Sequence, residues 1–505
     1  MLIHRVSWDK TVEVLVIGHG CAGPVAAITA AENGAEALIL EKQPQDTHHT
    51  NTSMAGGSFI TPLDAKSALE YVDSLYRITG GKGISWTDRA VLRTWAEYAA
   101  TGKEWIEERG GSVFLSPGPV DYLQLPGAAS LPKHRFRGLG VGLARFLDNL
   151  VKAKEIPVLY EARATHLITN MRGRAIGVEA RVRQDGQERK LRIGASKGVV
   201  LASGGFEYDE QTKLQYLKVY PTYSTGSEAN TGDGLRMAME VGAQLWHMNC
   251  LSAYLMFKFP DFPIAFSPDY LGRSQIRYAK GEEAVPIKSG HIIVDRDGLR
   301  YTSENLNGHA AYYELPYFDT HRLLYPRVPS YFVFDRKRLE NGQLPSATVG
   351  PTGASRLYQW SADNSREMER GWIKAAKTVR DLARKLGIPA DNLEKTVRKF
   401  NRYCEKGHDP DFGRRPEGLI PLENPPYCAI ELWPGTPATS GGPRRNSKGQ
   451  ILNADGEPVP GLYGCGELGC VYGMLYPGAG GHLAQCFASG RIAGDNIIRE
   501  KNRKQ

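Results

Sequence analysis

Three glycines in the run GHGCAG, Gly18, Gly20 and Gly23, are the first residues of this 505-residue chain whose spacing points to chemistry. In a GxGxxG pattern the first glycine makes a tight turn, the second lets the main chain approach a pyrophosphate, and the third lets a helix pack on a strand. The helix opening there adds unpaired N–H groups and a partial positive charge for the anion. An acid, Glu41, follows at the end of the next apolar run, placed for a ribose diol. NAD and FAD both use this pattern, but three further runs favour FAD. NTSMAGGSF (51–59) offers hydroxyls and N–H groups for phosphates or a flavin ring, and GVVLASGGF (198–206) repeats the strand-into-glycine geometry. PGLYGCGELG (460–469) carries Glu467 where it would face a ribityl chain. The expected cofactor shell is Gly18, Gly20, Cys21, Ala22, Gly23, Glu41, Lys42, Thr52, Ser53, Gly56, Gly57, Ala164, Ser203, Gly204, Asp233, Gly466, Glu467, Gly481 and Leu483.

These residues need a scaffold, and the hydropathy pattern supplies one. Val12 to Ile17 is a near-continuous apolar run, as in a strand buried on both faces of a parallel sheet. An Ala-rich helix to about Asn33 follows, stopped by Gly34, then a second strand from Ala35 to Leu40. Together they read as a βαβ opening with a right-handed crossover. Residues 64–110 and 141–154 read mostly as helix, and 156–201 as short strands around a hairpin at QDGQ (184–187). A helix begins in NTGDGLRMAMEVGA (230–243). From 244 to 430 the pattern is mixed and rich in aromatics, with helices expected over 364–386 and 391–405. The chain closes on a helix through HLAQCFASGRIAGDNII. The fold class is therefore α/β (α+β): a Rossmann-like nucleotide-binding domain over 1–243 and 431–505, with an inserted substrate or capping domain at 244–430.

Composition narrows the partners. Lys plus Arg is 63 against 55 acids, a charge of +8 spread along the chain, so nucleic-acid binding is not favoured. The only dense basic cluster is the tail from Arg499 to Lys504, which reads as a solvated terminus. The first ten residues lack the apolar core of a signal peptide, and the longest apolar stretch, 241–259, is broken by Gln244, His247 and Asn249. No membrane span is expected. Seven cysteines with no CxxC pair give no metal site and suit free thiols in a reducing cytoplasm.

With these motifs in place, the chain resembles the fumarate reductase/3-ketosteroid dehydrogenase superfamily of FAD proteins, nearest to its ketosteroid and cyclic-ketone dehydrogenases. TSGG (439–442), PGLYGCGE (460–467) and above all YPGAG (476–480) carry the resemblance. It implies that the Tyr476 hydroxyl and the Gly480 N–H hold a ketone oxygen while hydride leaves the β carbon for flavin N5. Chemistry agrees, because removing an α proton needs donors for the developing enolate oxygen. The resemblance also implies a tyrosine base after a segment that here reads LRYTSEN (299–305). Tyr312 and Tyr313 are the nearest tyrosines, His309 is an alternative, and Tyr122 is a further pocket tyrosine. A dicarboxylate substrate is disfavoured: 471–488 contains no Arg to clamp a carboxylate. His48 and His49 do not match the form that attaches flavin covalently, so FAD is expected noncovalently. The expected activity is FAD-dependent desaturation of a mainly apolar cyclic ketone, with an external electron acceptor. Reduction of an activated C=C bond by an ene-reductase or fumarate-reductase type of enzyme is the alternative.

Overall fold

The computed structural model describes residues 6–77, 87–116, 120–269, 289–304, 309–345, 356–473 and 475–500. Asn305 of the LRYTSEN segment and the basic tail beyond Glu500 lie outside these residues. The chain divides into two compact units. One comprises Met1–Leu217, Gly226–Ser252 and Ala438–Gln505, the other Lys218–Thr225 and Ala253–Pro437.

In the first unit, strand β1 (Lys10–Ile17) lies between β2 (Ala37–Leu40) and β6 (Gln187–Leu201), parallel to both. Val14 to Val16 and all of β2 are buried, as the continuous apolar runs require. Helix α1 (Ala22–Glu32) makes the crossover from β1 to β2. It is buried from Ala22 to Ala30, and its small side chains permit close packing on both sides. Five further strands complete an eight-stranded sheet: β3 (Val158–Leu159), β4 (Ala162–Thr169), β5 (Ala175–Gln184), β7 (Gln450–Leu452) and β8 (Pro458–Gly464). The order is β7-β8-β6-β1-β2-β3, with β5 joined to β6 and β4 to β5. The β5–β6 hairpin turns at Asp185 and Gly186, with φ of 51° and 74°, the primed geometry that suits strand twist.

The closing helix α2 (Gly481–Ile497) packs against α1. A side chain at Gly490 would stand 2.8 Å from the Ala22 carbonyl oxygen, and one at Gly494 would stand 2.7 Å from that of Ala26. Glycine is therefore what lets the last helix seat on the first.

The second unit is built on an antiparallel sheet ordered Leu251–Phe257, Tyr427–Thr439, Ser330–Phe334, His291–Val294, with Lys374–Ala376 also paired to Tyr427–Thr439. Helices Val379–Leu386 and Ala390–Lys406 cover it, setting Leu382, Leu393, Val397 and Phe400 against Ile292 and Val333. A buried ion network braces this unit. Arg300 reaches Glu304 at 2.6 Å and Asp409 at 2.8 Å, and Arg414 reaches Glu304 at 3.2 Å.

The helix expected over 364–386 is interrupted. A short helix, Ser365–Glu369, ends before Gly371 (φ 75°), and Lys374–Ala376 enters the sheet. Thr378 then starts Val379–Leu386, its side chain accepting from the Asp381 N–H. Sheet pairing and a left-handed glycine override helical periodicity here.

Candidate active site

The glycine turn is built from contacts that exclude side chains. Gly18 has φ of 110°, and a Cβ there would sit 2.5 Å from the Ala202 carbonyl oxygen. A Cβ on Gly23 would overlap the Gly18 carbonyl, whereas Gly20 faces open space, with only Thr52 Oγ1 at 3.9 Å. No side chain caps α1 at Cys21, and its first turn holds no acid. The cradle therefore offers main-chain N–H groups to an anion.

Glu41 is buried beside it. Oε2 accepts from the His19 N–H at 3.0 Å and Oε1 from the Gln43 N–H at 2.9 Å, and His48 Nε2 lies 3.5 Å from Oε2. Burial alone raises this carboxyl, but the His48 ring and the two N–H groups hold it below the usual range. His19 stacks on His48 with ring centres 5.2 Å apart. Both line a cavity of about 60 Å³ with Gly20, Thr52, Ser53 and Asp148.

The structure places the other expected cofactor residues as follows. Lys42 and Asp233 meet at 2.6 Å, and Arg163 and Arg236 also engage Asp233. Ser53 caps the helix Asn51–Met54 with Thr50, and Thr52 is buried in it. Gly57 (φ 70°) approaches Leu139, where a Cβ would come within 2.6 Å, whereas Gly56 faces open space. Ala164 lies in β4 opposite Ala180. Ser203 Oγ accepts from the Gly234 N–H at 3.1 Å, and Gly204 (φ 74°) packs on Asn230. Gly466 (φ 74°) lies against Ala22, where its Cβ would fall 2.8 Å from the alanine's, so the late glycine run closes on the start of α1. Gly481 and Leu483 begin α2.

At that helix start is a second cluster. Tyr476 is buried, and its hydroxyl oxygen accepts from the His482 N–H at 3.1 Å. The two rings lie 4.6 Å apart. His482 Nε2 is 2.9 Å from Ser440 Oγ, and Nδ1 is 3.6 Å from Glu467 Oε1. Glu467 Oε2 accepts from Asn51 Nδ2 at 3.0 Å, and Asn51 Nδ2 also lies 3.5 Å from Glu207 Oε1. Glu207 is buried, with Oε1 accepting from the Thr439 N–H at 2.8 Å and Oε2 without a hydrogen-bond partner among the described residues. Burial pushes the Glu467 carboxyl up to about 7. Burial, then the charge of Glu467, raises that of Glu207.

The YPGAG turn is braced from outside. Tyr71 donates its hydroxyl to the Pro477 carbonyl at 3.0 Å, and Gly478 (φ 114°) packs on Asp121, which brings neighbouring Tyr122 toward the turn. Gly480 (φ 97°) caps α2 and packs on Phe59. Tyr122 is buried, its hydroxyl without a hydrogen-bond partner among the described residues. Burial, then the charge of Asp121, makes this phenol harder to ionise. Tyr312 lies in the second unit, where burial likewise raises it. His309 in that unit sits 4.3 Å, ring to ring, from Tyr254.

Glu207, Asn51, Ser440 and His482 are not among the residues whose types and spacing point to a role in the sequence. The available signal is an acid directly after GGF (204–206) and a histidine directly after GAGG (478–481), each following a run of glycine and apolar residues.

The profile of the family described as FAD binding domain matches residues 13–483. A 4-oxocyclohexanecarboxylate 2-dehydrogenase of Sinomonas cyclohexanicum is 30% identical, across 97% of this chain and 93% of its own. A vinyl phenol reductase of Lactiplantibacillus plantarum is 27% identical, across 95% of each chain. The crystal structure of a 3-ketosteroid delta1-dehydrogenase from Sterolibacterium denitrificans, in complex with 1,4-androstadiene-3,17-dione, superposes with a TM-score of 0.81. It covers 98% of this chain and 100% of its own at 21% identity, a likeness of fold.

Proposed function

The chain belongs to the FAD binding domain family, and from that premise we propose that it is a dehydrogenase removing two hydrogens from adjacent carbons of a cyclic ketone. It is an FAD-dependent oxidoreductase, with relatives acting on CH–CH groups. The residues at the glycine turn fit FAD: two positions have no room for a side chain, the helix start is uncapped, and a buried carboxylate stands beside it. Gly18, Gly20 and the N–H groups of Cys21, Ala22 and Gly23 would hold the pyrophosphate, and Glu41 the ribose. The segment 51–57 and the start of α2 would hold the flavin end, without a covalent bond. Bound FAD supplies the two-electron acceptor, and an external acceptor then takes the electrons.

The protein's own part lies at the carbonyl. The observation that carries the reading is Tyr476, a buried phenol whose oxygen accepts from the N–H of His482, the second residue of α2. Its own O–H, with the Gly480 N–H, would hold the ketone oxygen. Negative charge gathers there as the α proton leaves, and each such donor contributes on the order of 10²-fold or more in rate. The α proton needs a base, and a tyrosine serves as one only as its phenolate. Tyr122 is buried and its phenol pushed upward, so it would need a neighbour in the complex to ionise it before it could take the proton.

Anaerobic mixing with a panel of ketones, from cyclohexanones to steroids, tests this. Bleaching of the oxidised flavin by saturated ketones supports desaturation, and Tyr476→Phe should slow that bleaching about 10²-fold at unchanged flavin content. A Phe variant as fast as wild type would overturn the carbonyl assignment. Acid precipitation should release the dye into the supernatant. Likeness to the vinyl phenol reductase across 95% of each chain favours a second reading, reduction of an activated C=C bond. Reoxidation of pre-reduced enzyme by enones, with no bleaching by saturated ketones, would select it.

A further inference from the structure

The histidine beside the carbonyl tyrosine makes two hydrogen bonds and has a carboxyl nearby. Its main-chain N–H is bonded to Tyr476 Oη at 3.1 Å, its Nε2 lies 2.9 Å from Ser440 Oγ, and its Nδ1 lies 3.6 Å from a Glu467 oxygen. Glu467 is itself steadied by Asn51 at 3.0 Å. All these groups belong to one compact unit and all are largely removed from solvent. Buried imidazoles can satisfy a core with one partner. This one is bonded to a hydroxyl through one nitrogen and has a carboxyl oxygen 3.6 Å from the other, so the Ser440 contact can persist, with its direction reversed, when the ring gains or loses a proton.

We propose that His482 is a titrating positioning residue of the carbonyl site: the Ser440–His482–Glu467 chain sets the charge beside Tyr476 and so the strength with which Tyr476 holds an oxyanion. The inference rests on the reading of Tyr476 as the carbonyl ligand. With the ring neutral and Nδ1 protonated toward Glu467, Nε2 accepts the Ser440 hydroxyl proton. With the ring protonated, Nε2–H donates to Ser440 Oγ and a positive charge stands against the phenol ring. That charge favours negative charge on whatever Tyr476 binds. The proton that enters comes from solvent, and no electron moves.

Other ionisable groups frame the chain. Glu467 interacts with Glu207 and with the Cys470 and Cys486 thiols, all raised chiefly by burial except Cys486, where the hydrogen bond to the Cys21 thiol comes first. Tyr472 lies 6.2 Å from the Tyr476 ring and donates to the Gly481 carbonyl. The Arg445 guanidinium is committed to the Gly464 and Gly469 carbonyls. Glu467, pushed up to about 7, titrates within the chain itself, and Glu207 is the competing acid outside it, so the Glu207 variant is the control.

The test is binding of pentafluorophenolate, an enolate mimic that stays anionic from about pH 6.5 to 8.5, to the flavin-loaded enzyme, read as a flavin absorbance change. That window spans the ordinary histidine range. Wild type should weaken about tenfold as pH rises. His482→Gln, whose amide nitrogen can still reach Ser440, should show the weak, flat limb at every pH with flavin content unchanged. Ser440→Ala should displace the inflection, and Glu207→Gln should retain it. A His482→Gln protein that keeps the full pH step, or a wild type that lacks one, overturns the proposal. So does a step that disappears only in Glu207→Gln. Tyr476→Phe binding the phenolate as tightly as wild type would instead remove the carbonyl reading itself, a result separate from the His482 outcomes.

Discussion

Replacing Glu41 by alanine gives a test of the cofactor cradle with a magnitude that follows from its bonds. The carboxylate accepts from the His19 and Gln43 N–H groups at 3.0 and 2.9 Å, in a buried position. Truncation leaves both donors unpaired at roughly 1–3 kcal/mol each, so about 2–6 kcal/mol in all. That is a large part of the roughly 5–15 kcal/mol typical of a folded domain. The apoprotein should therefore melt several degrees lower. FAD should bind about 10–100-fold more weakly, because a charge-assisted bond to the ribose contributes roughly 1.5–3 kcal/mol. Glu41→Gln keeps one acceptor and should fall between. A pH series adds a sign. The carboxyl is held below its ordinary value in the fold, so its contribution is present above the unfolded pKa of about 4.3 and is lost as pH falls through the folded value. The alanine variant should lack that acid-side slope. Scanning calorimetry of the apoprotein and FAD titration measure both effects. An alanine variant with wild-type melting and wild-type FAD affinity would refute the claim that Glu41 secures the turn.

Gly23→Ala forces a methyl group onto the Gly18 carbonyl and should cost about 1–3 kcal/mol, with loss of flavin in the purified protein; gel filtration absorbance reads it. Glu304→Ala leaves the buried Arg414 without a carboxylate and Arg300 with Asp409 alone, and should destabilise the second unit by roughly 3–5 kcal/mol in a denaturant titration, with flavin absorbance at the first unit far less affected. The Glu207 and Glu467 carboxyls are raised by burial, so at these two groups the native apoprotein binds more protons than the unfolded chain. Their contribution to the melting temperature should fall as pH rises from about 4.3, the unfolded value, through about 7, and Glu467→Gln should gain on wild type in melting temperature across that window.

What could be read in the sequence was local. GHGCAG and the apolar runs on either side specify a turn, a strand and a helix because each depends on a few consecutive residues, and QDGQ specifies a hairpin through Asp185 and Gly186 alone. The periodicity over 364–386 gives way where partners decide: residues 374–376 are drawn into a sheet by Tyr427–Ala429. The polar cluster was the least legible part. Asn51, Glu207, Ser440, Glu467 and His482 come from five separated stretches, and no spacing announces that they meet. Lys42 and Asp233 likewise look like two independent cofactor residues until the fold joins them at 2.6 Å.

The seating of α2 on α1 bears on how the protein is made. Strand β1 and helix α1 leave the ribosome well before their partners, yet α1 is buried along nearly its whole length and has no polar face with which to wait in water. The strand β6 that pairs with β1 is translated only at residues 187–201, and the glycines that receive α1, Gly490 and Gly494, arrive later still. Contacts of such long sequence separation form slowly. The nascent polypeptide thus completes its cradle only once α2 has been made.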